Sequence, residues 1–199
     1  MSKILNPILK QDFELIRDKI KSILDDELAS QALLQPLEEV LGAQVFVERF
    51  HPFNLEELPA VNVMFTSSSP NSESAFEKSM SHSYFIDCYT KGKSDATDDG
   101  DKKSLFDLQR LCGVVSEILR SSQYLTLDFP SGLIENKNVS GIKIAEQRDN
   151  QDASSVMMGR VTFDVRSVGF NESAVGIQVA ESITQVKIDE SENGHKFEV

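Results

Sequence analysis

The stretch at residues 157–167 constrains the fold more than any other part of this 199-residue chain. Apolar residues or glycine occupy every second position, and polar or charged residues occupy most positions between them. This two-residue period is typical of a β-strand whose side chains point alternately to a covered and an uncovered face of a sheet. One face carries Met157, Gly159, Val161, Phe163 and Val165, and the other carries Met158, Arg160, Thr162, Asp164 and Arg166. The chain therefore needs elements that cover one face.

Two amphipathic helices can supply this cover. Apolar residues recur at steps of three and four over residues 12–28, with Asp12 as the expected N-cap, and again over residues 102–120. A shorter helical piece is expected within residues 32–41, starting near Pro36. Each helix presents one apolar stripe, which suits packing on a sheet rather than crossing a membrane.

Further β-rich runs lie before and after the second helix. Residues 45–50, 60–65 and 83–89 are expected as three consecutive strands, because segments rich in Pro, Ser, Asn and Glu separate them. Residues 124–129 and 139–145 are expected as short strands on either side of a turn. The sequence thus predicts an α+β fold, with a mostly antiparallel mixed sheet and two main amphipathic helices packed on one face.

Polar segments set the expected domain organisation. Residues 66–79 and 91–101 lack apolar periodicity and are predicted to be loops, the second of them strongly acidic. Residues 169–199 alternate only weakly and then become polar, which is typical of an arm rather than a core. We therefore expect one domain at residues 1–168 and a C-terminal extension at residues 169–199.

The charge balance limits the partners. With 32 acidic and 20 basic side chains, the formal charge of −12 repels phosphate backbones and anionic lipid. Tight nucleic-acid binding and membrane association are not expected. The amino-terminal residues lack an apolar stretch of signal-peptide length, so we expect the protein to stay inside the cell that makes it. Cys88 and Cys112 lie in apolar surroundings and are expected as a reduced buried pair, with a disulfide between them as the alternative.

No catalytic or metal-binding signature stands out. The acidic segment with Asp95, Asp98, Asp99 and Asp101 resembles a calcium loop only superficially, because a threonine and a phenylalanine occupy its third and twelfth positions. We interpret it as a solvated loop. The three histidines have no zinc-ligand spacing, and the motifs of serine hydrolases and phosphate-binding loops are absent from the sequence. We expect no cofactor, no metal and no enzymatic activity.

The outward face of the strand at residues 157–167 is the candidate interaction site. Arg160, Thr162, Asp164 and Arg166 form a row of mixed charge. Such a row is either a solvated sheet face or a surface that meets a complementary row on a partner.

The order of these elements resembles that of a known family. Three runs carry the likeness: LPAVNVMF at residues 58–65, SYFIDCY at 83–89 and GRVTFDV at 159–165, with an amphipathic helix before the first and after the second. The arrangement is similar to the tail terminator proteins of long-tailed bacteriophages, also called minor tail or tail completion proteins. The likeness covers residues 12–168, whereas residues 121–156 and the C-terminal extension exceed the family's compact core.

The resemblance implies a virion structural protein, assembled in the host cytoplasm, and offers no catalytic residues. It implies a hexameric ring that caps the tail tube and joins it to the head-side connector, while DNA passes through the lumen without specific binding. Its partners would be the tail tube protein and the head-tail connector protein, and a sheath in a contractile tail would account for the extra surface. The acidic segment at residues 95–101 would then either line the lumen or face solvent.

Two other interpretations stay open from the sequence. One is a small cytosolic adaptor, or another phage neck subunit, without enzymatic activity. The other is an enzyme whose site is assembled from dispersed residues around His51 or His82. A monomer or dimer in solution favours the adaptor, and an activity lost on substitution of both histidines favours the enzyme.

Overall fold

The computed structural model describes residues 7–70, 79–91, 100–144 and 156–168. Within these ranges, two α-helices and five β-strands follow in the order α-β-β-β-α-β-β. The helices are α1 (Asp12–Leu34) and α2 (Gly100–Arg120). The strands are β1 (Gln44–Val47), β2 (Ala60–Pro70), β3 (Ser79–Lys91), β4 (Ile134–Ile144) and β5 (Val156–Val168).

The five strands form one mixed sheet in the order β1-β2-β3-β5-β4. β1 pairs with β2 in parallel, and the other three pairs are antiparallel. The longest pairing joins β3 to β5, from Ser79 opposite Val168 to Lys91 opposite Val156. The predicted α+β class with a mostly antiparallel mixed sheet is confirmed.

Both helices pack on the same face of this sheet. α1 contacts β1 and β2, whereas α2 contacts β3, β5 and β4. The covered face of β5 consists of the predicted residues, since Val161, Phe163 and Val165 are buried. Each large apolar side chain buried here stabilises the fold by about 1.5–3 kcal/mol. The helices contribute Ile16, Ile20, Ile23, Leu24 and Leu28 from α1, and Leu108, Leu111, Cys112, Val115 and Leu119 from α2.

Gly159 allows α2 to approach β5 closely. A Cβ atom at this position would lie 2.6 Å from Cys112 Sγ and 3.3 Å from a methyl group of Leu108. Cys88 lies directly opposite Gly159 in the β3–β5 register, so the two thiols meet at this point of the core. Both cysteines are free and buried, as the sequence predicted. The hydrogen bond with Cys112, together with burial, raises the pKa of the Cys88 thiol.

The first helix is longer than the sequence predicted, and its N-cap is a different residue. α1 continues to Leu34, and a short 3₁₀ helix at Glu39–Gly42 replaces the helical piece expected near Pro36. The N-cap is Gln11, whose backbone N–H donates to the Glu14 carboxylate at 2.8 Å. The expected N-cap, Asp12, is instead the first helical residue and is buried.

Two predicted loops contain strand residues. β2 extends through Pro70 and β3 begins at Ser79, because serines of the two strands pair in register, as Ser69 does with Ser81. These residues of β2 are exposed on both faces, so the strand shows no apolar alternation. In the second predicted loop, Lys91 ends β3 and Gly100 begins α2. Conversely, β1 ends at Val47, since Glu48 adopts a positive φ of 49°.

The predicted strand at residues 124–129 is wrong. A 3₁₀ helix at Ser122–Tyr124 leads into turns in which the Leu127 N–H donates to the Tyr124 carbonyl at 3.0 Å. Leu127 and Asp128 have positive φ values of 49° and 55°, so two successive residues are outside the β region of a regular strand. The apolar residues of this run serve as anchors, since Leu127 is fully buried in the core.

The edge strand β4 is tied to the end of α2 and begins at Ile134 rather than at residue 139. Lys137 Nζ donates to the carbonyl oxygens of Leu119 at 2.7 Å and Ser121 at 2.8 Å. A cation in this position satisfies the carbonyls that a helix leaves free at its C-terminus. Burial lowers the pKa of Lys137.

No helix in the described ranges is long and apolar enough to cross a membrane. The predicted C-terminal extension, residues 169–199, lies outside the described residues, and so do most of the acidic segment and the histidine at position 195.

Candidate interaction surface on the open sheet face

The four residues of the predicted row lie on the face of the sheet opposite the helices, which we call the open face. Arg160, Thr162, Asp164 and Arg166 alternate with the buried residues of β5, and each is partly exposed. β3 and β4 flank β5 on its two sides, so the row runs through the sheet rather than along its edge. Its electrostatics therefore depend on the residues opposite it in these two strands.

Arg160 is matched by a carboxylate in the neighbouring strand. It lies opposite Asp87 in the β3–β5 register, and its Nε and Nη2 atoms donate to the two Asp87 oxygens at 2.6 and 2.8 Å. The guanidinium also stacks on Phe85, 4.0 Å from the ring centroid. The hydrogen bond to Asp87 raises the pKa of Arg160. Bidentate pairing and ring stacking together fix this arginine in one orientation.

Burial in this ion pair is unequal. The Asp87 side chain is 2% exposed, whereas that of Arg160 is 33% exposed. A carboxylate so far from water requires a partner charge, because an isolated buried charge is strongly disfavoured. Arg160 therefore neutralises the buried Asp87 carboxylate and is not available to bind an external anion.

The two other charged residues of the row have weaker partners within the subunit. Asp164 accepts a hydrogen bond from Ser83 Oγ at 2.6 Å, and Arg166 Nε lies 4.0 Å from a Glu135 oxygen. The residues opposite Asp164 and Arg166 are neutral: Ser83 and Ser81 in β3, and Asn138 and Asn136 in β4. The row is thus a polar band whose charges find counter-charges or hydrogen bonds within the subunit. Contact with a complementary row on a partner stays a prediction.

The band ends at an aromatic cluster near β1. Arg49 lies over the rings of Phe46 and Phe53, at 4.8 and 4.4 Å from their centroids, and makes two hydrogen bonds to Glu57 at 2.7 and 2.8 Å. The Phe53 ring also contacts Tyr89, with 4.8 Å between centroids. The connection between β1 and β2 thereby covers this end of the open face.

A buried asparagine holds that connection in place. Asn62 of β2 accepts from the Arg49 N–H at 3.1 Å and donates to the Arg49 carbonyl at 2.9 Å. Its side chain is fully buried, so both of its polar ends are satisfied where water is excluded. The β1–β2 connection therefore buries Asn62 on the face of the sheet opposite the helices.

Family models and curated protein sequences give no match to this chain.

The histidines that the sequence singled out do not converge. His51 is exposed in the connection after β1, whereas His82 is buried in β3. His82 Nε2 lies 2.9 Å from Ser167 Oγ, on the covered side of the sheet. Burial lowers the pKa of His82, and the charge of Asp12 opposes this shift.

A serine, a histidine and an aspartate thus occupy one region. Ser167 is 0%, His82 2% and Asp12 9% exposed, so no substrate reaches Ser167 Oγ in this conformation. His82 Nδ1 and Asp12 Oδ1 have no hydrogen-bond partner within the described part of the chain. We interpret the group as part of the packing between α1 and the sheet, where it makes stability sensitive to pH.

The side chains of the acidic segment at residues 95–101 lie outside the described part of the chain. Asp95, Asp98 and Asp99 lie outside the described residues, and Asp101 falls in the first turn of α2 with its side chain outside them. Among the side chains that are described, no three His, Cys, Asp or Glu residues cluster as a metal site would require.

Sequence reasoning found the row but missed the partners beneath it. The signal for Asp87 was present, since a single acidic residue interrupts the otherwise apolar and aromatic run at residues 84–89. A carboxylate in such a run requires a cation, and Arg160 occupies the matching alternation in another strand. Arg49 carried no comparable signal, because its ring contacts depend on the path of the β1–β2 connection.

Proposed function

We propose that this protein is a virion structural subunit that closes into a ring at the end of a bacteriophage tail tube and joins it to the head-side connector. The observation that carries the proposal is the open face: a sheet covered by helices on one side only, with a fixed polar band on the other. The α+β fold with this one-sided cover is the fold that the family resemblance implies.

The polar band suits contact with another folded protein. Arg160 is fixed by Asp87 and Phe85, so little side-chain entropy is lost when a partner covers it. Because its charges are matched within the subunit, a partner needs to supply hydrogen bonds and shape rather than a strict charge pattern. Serine and asparagine side chains of β2, β3 and β4 offer both donors and acceptors for this purpose.

The charge supports passage of DNA rather than its retention. A formal charge of −12 per subunit is multiplied by the number of copies in a ring. Phosphates are repelled from such a wall, so DNA moves past it without specific binding. The hexameric count and the contacts with the tube, the connector and a sheath are part of this proposal.

The proposal is tested with polymerising tail-tube subunits of the cognate phage. Added protein is expected to bind as a ring at one tube end in electron micrographs and to shorten the tubes as its molar ratio rises. Thr162→Arg, in the middle of the open face, should abolish this effect without unfolding the protein, because Thr162 is partly exposed. Glu117→Gln, on the exposed side of α2, is the matched control and should act as the unaltered protein does.

Tube lengths that do not respond to the protein at any ratio contradict the capping function. A protein that remains a monomer or a dimer even with tubes present supports the adaptor interpretation instead.

A further inference from the structure

The outer edge of β1 has no partner strand in the part of the chain that the structure describes. β1 is one of the two outer strands of the sheet and pairs on its inner side with β2. The N–H groups of Gln44 and Glu48 donate to carbonyls on the β2 side, at 3.2 and 3.0 Å. Alternate residues of a strand direct their backbone groups to opposite sides, so the N–H and C=O groups of Val45 and Val47 point outward. Such an edge can accept a further strand.

A mostly apolar groove follows the same edge. It has a volume of about 370 Å³ and lies between α1 and β1. Leu41 and Val45 are buried in its lining, whereas Ala29 and Gly42 contribute small residues to it. A Cβ atom added at Gly42 would meet no atom within 4 Å. The edge and the groove together fit an extended segment that carries an apolar side chain.

The start of α1 lies beside the end of β1. Arg17, early in α1, is 3.7 Å from Glu48, which directly follows β1. Asp25 and Ala29, later in α1, line the groove together with residues 41–46. α1 therefore runs antiparallel to β1. A segment that lies along the groove and then leads into α1 runs parallel to β1.

Lys10 directs the chain before α1 toward this groove. Its Nζ donates to Asp18 at 2.7 Å. Asp18 and Asp25 are seven residues apart, so they lie on the same side of the helix, about 10 Å from each other along its axis. Residues 3–6 precede Lys10 by four to seven positions and lie up to about 13–24 Å from it in an extended chain. They can therefore reach the groove of their own subunit.

The sequence of residues 1–6 suits a short added strand. It includes the adjacent apolar residues Ile4 and Leu5 and contains no acidic residue, proline or glycine. Successive side chains of a strand alternate in direction, so one of these two faces the groove in either register. Asn6 precedes Pro7, which favours an extended backbone at Asn6. Pro7 then ends the pairing, because proline has no N–H to donate.

We propose that residues 3–6 add to the outer edge of β1 in the same subunit, as a strand parallel to it. The outward backbone groups of Val45 and Val47 pair with this segment, and Ile4 or Leu5 fills the groove against Leu41. α1 then connects two neighbouring parallel strands, which is the kind of crossover that such a pair requires. The added strand covers the edge and prevents other chains from pairing with it. This inference does not depend on the proposed function.

Amide hydrogen exchange tests the pairing residue by residue. The full-length chain is compared with a variant that carries Ile4→Asp and Leu5→Asp, because charged side chains cannot fill the groove. In the unaltered protein, the amides of Val45 and Val47 are expected to exchange about a hundredfold more slowly than in the variant. Equal exchange at these two amides in both proteins overturns the proposal.

Two controls separate docking from a general change in stability. The amides of Gln44 and Glu48 bond to the β2 side and should stay equally protected in both proteins. Ile8→Asp is the matched control variant, because Ile8 is 75% exposed and lies after the proposed strand. It should leave the exchange of the outward β1 amides unchanged. An effect of Ile8→Asp as large as that of the double variant overturns the assignment to residues 3–6.

Disulfide trapping locates the segment independently. Ile4→Cys and Leu5→Cys are each combined with Ala29→Cys under mild oxidation; the native cysteines are buried and do not compete. One of the two pairs is expected to form an intrachain disulfide about tenfold faster than the same pair with Ser30→Cys in place of Ala29→Cys. Ser30 is a matched control because it is also exposed but does not line the groove. Equal rates with Ser30→Cys, or disulfides that form mainly between chains, overturn docking within the subunit.

Discussion

The two faces of β3 and β5 are built from neighbouring residues and are stabilised in different ways. On the covered face, Cys88, Gly159 and Phe163 pack closely against the helices, since a Cβ atom added at Gly159 would lie only 2.6 Å from Cys112 Sγ. On the open face, Asp87 and Arg160 form a fixed ion pair one residue away. Close packing of side chains stabilises the covered face, and an ion pair fixes the side chains of the open face.

This difference indicates which side chains can be substituted without loss of the fold. Interiors are close-packed, so the covered face tolerates few changes in volume. The open face tolerates changes in shape at its surface but not the loss of a partner for a buried charge. A contact surface can therefore be altered between Thr162 and Arg166 while the core remains unchanged.

The largest expected difference between the two faces is in unfolding free energy, and substitution of two adjacent β5 residues measures it. Phe163→Ala removes a fully buried ring and is expected to cost about 4 kcal/mol of unfolding free energy, whereas Thr162→Ala should change it by less than about 0.5 kcal/mol. Chemical denaturation of both variants checks this. Similar losses for the two variants would break the comparison, because they would mean that the open face is packed like the core.

The ion pair provides a sharper test, because the Asp87 side chain is as buried as a core residue although it belongs to the open face. Arg160→Met leaves the Asp87 carboxylate buried without its partner and should cost about 3 kcal/mol. Asp87→Asn should cost less, about 1 kcal/mol, because Arg160 is one-third exposed and can be hydrated. The midpoints of urea unfolding of these two variants give the comparison. A reversed order would mean that Asp87 is solvated through some other route.

The close approach at Gly159 can be tested by adding a single methyl group. Gly159→Ala places a Cβ atom against Cys112 Sγ and should cost about 2 kcal/mol through overpacking. In a Cys112→Ala background the sulfur is absent, so the same substitution should cost about 1 kcal/mol less. Thermal unfolding of the three variants and the unaltered protein gives this coupling. Strictly additive effects would show that the strain lies elsewhere, for example at Leu108.

The sequence predicted the architecture where side-chain periodicity and burial coincide. The alternation in β5 and the apolar stripes of α1 and α2 identified the buried residues because each is half covered. The serine-rich ends of β2 and β3 were missed for the opposite reason. Both faces are polar there, and only backbone pairing, as between Ser69 and Ser81, makes them strands.

The partners on the open face could not be predicted with the same method. Asp87 and Arg160 are 73 residues apart, and their contact depends on the register between β3 and β5. The error at residues 124–129 has a related cause. Leu127 satisfies an apolar pattern, but its positive φ is a property of the backbone that the pattern does not report.

The smallest expected effect is a pH dependence that belongs to the covered face. Burial lowers the pKa of His82 below its usual value near 6.5, so the unfolded chain binds the proton more readily than the folded one. The stability that this residue contributes is therefore complete above pH ~6.5 and is lost progressively as the pH falls from there toward the lowered pKa.

His82→Gln should flatten this loss while retaining a hydrogen bond to Ser167. The exposed His51→Gln is the matched control and should leave the curve unchanged. Unfolding free energies between about pH 7.5 and 5 decide between them, since the carboxylates paired on the surface, Asp18 and Glu57, have lowered pKa values and titrate below this window. An unaltered pH dependence in His82→Gln would mean that the folded and unfolded chains bind a proton at His82 equally well.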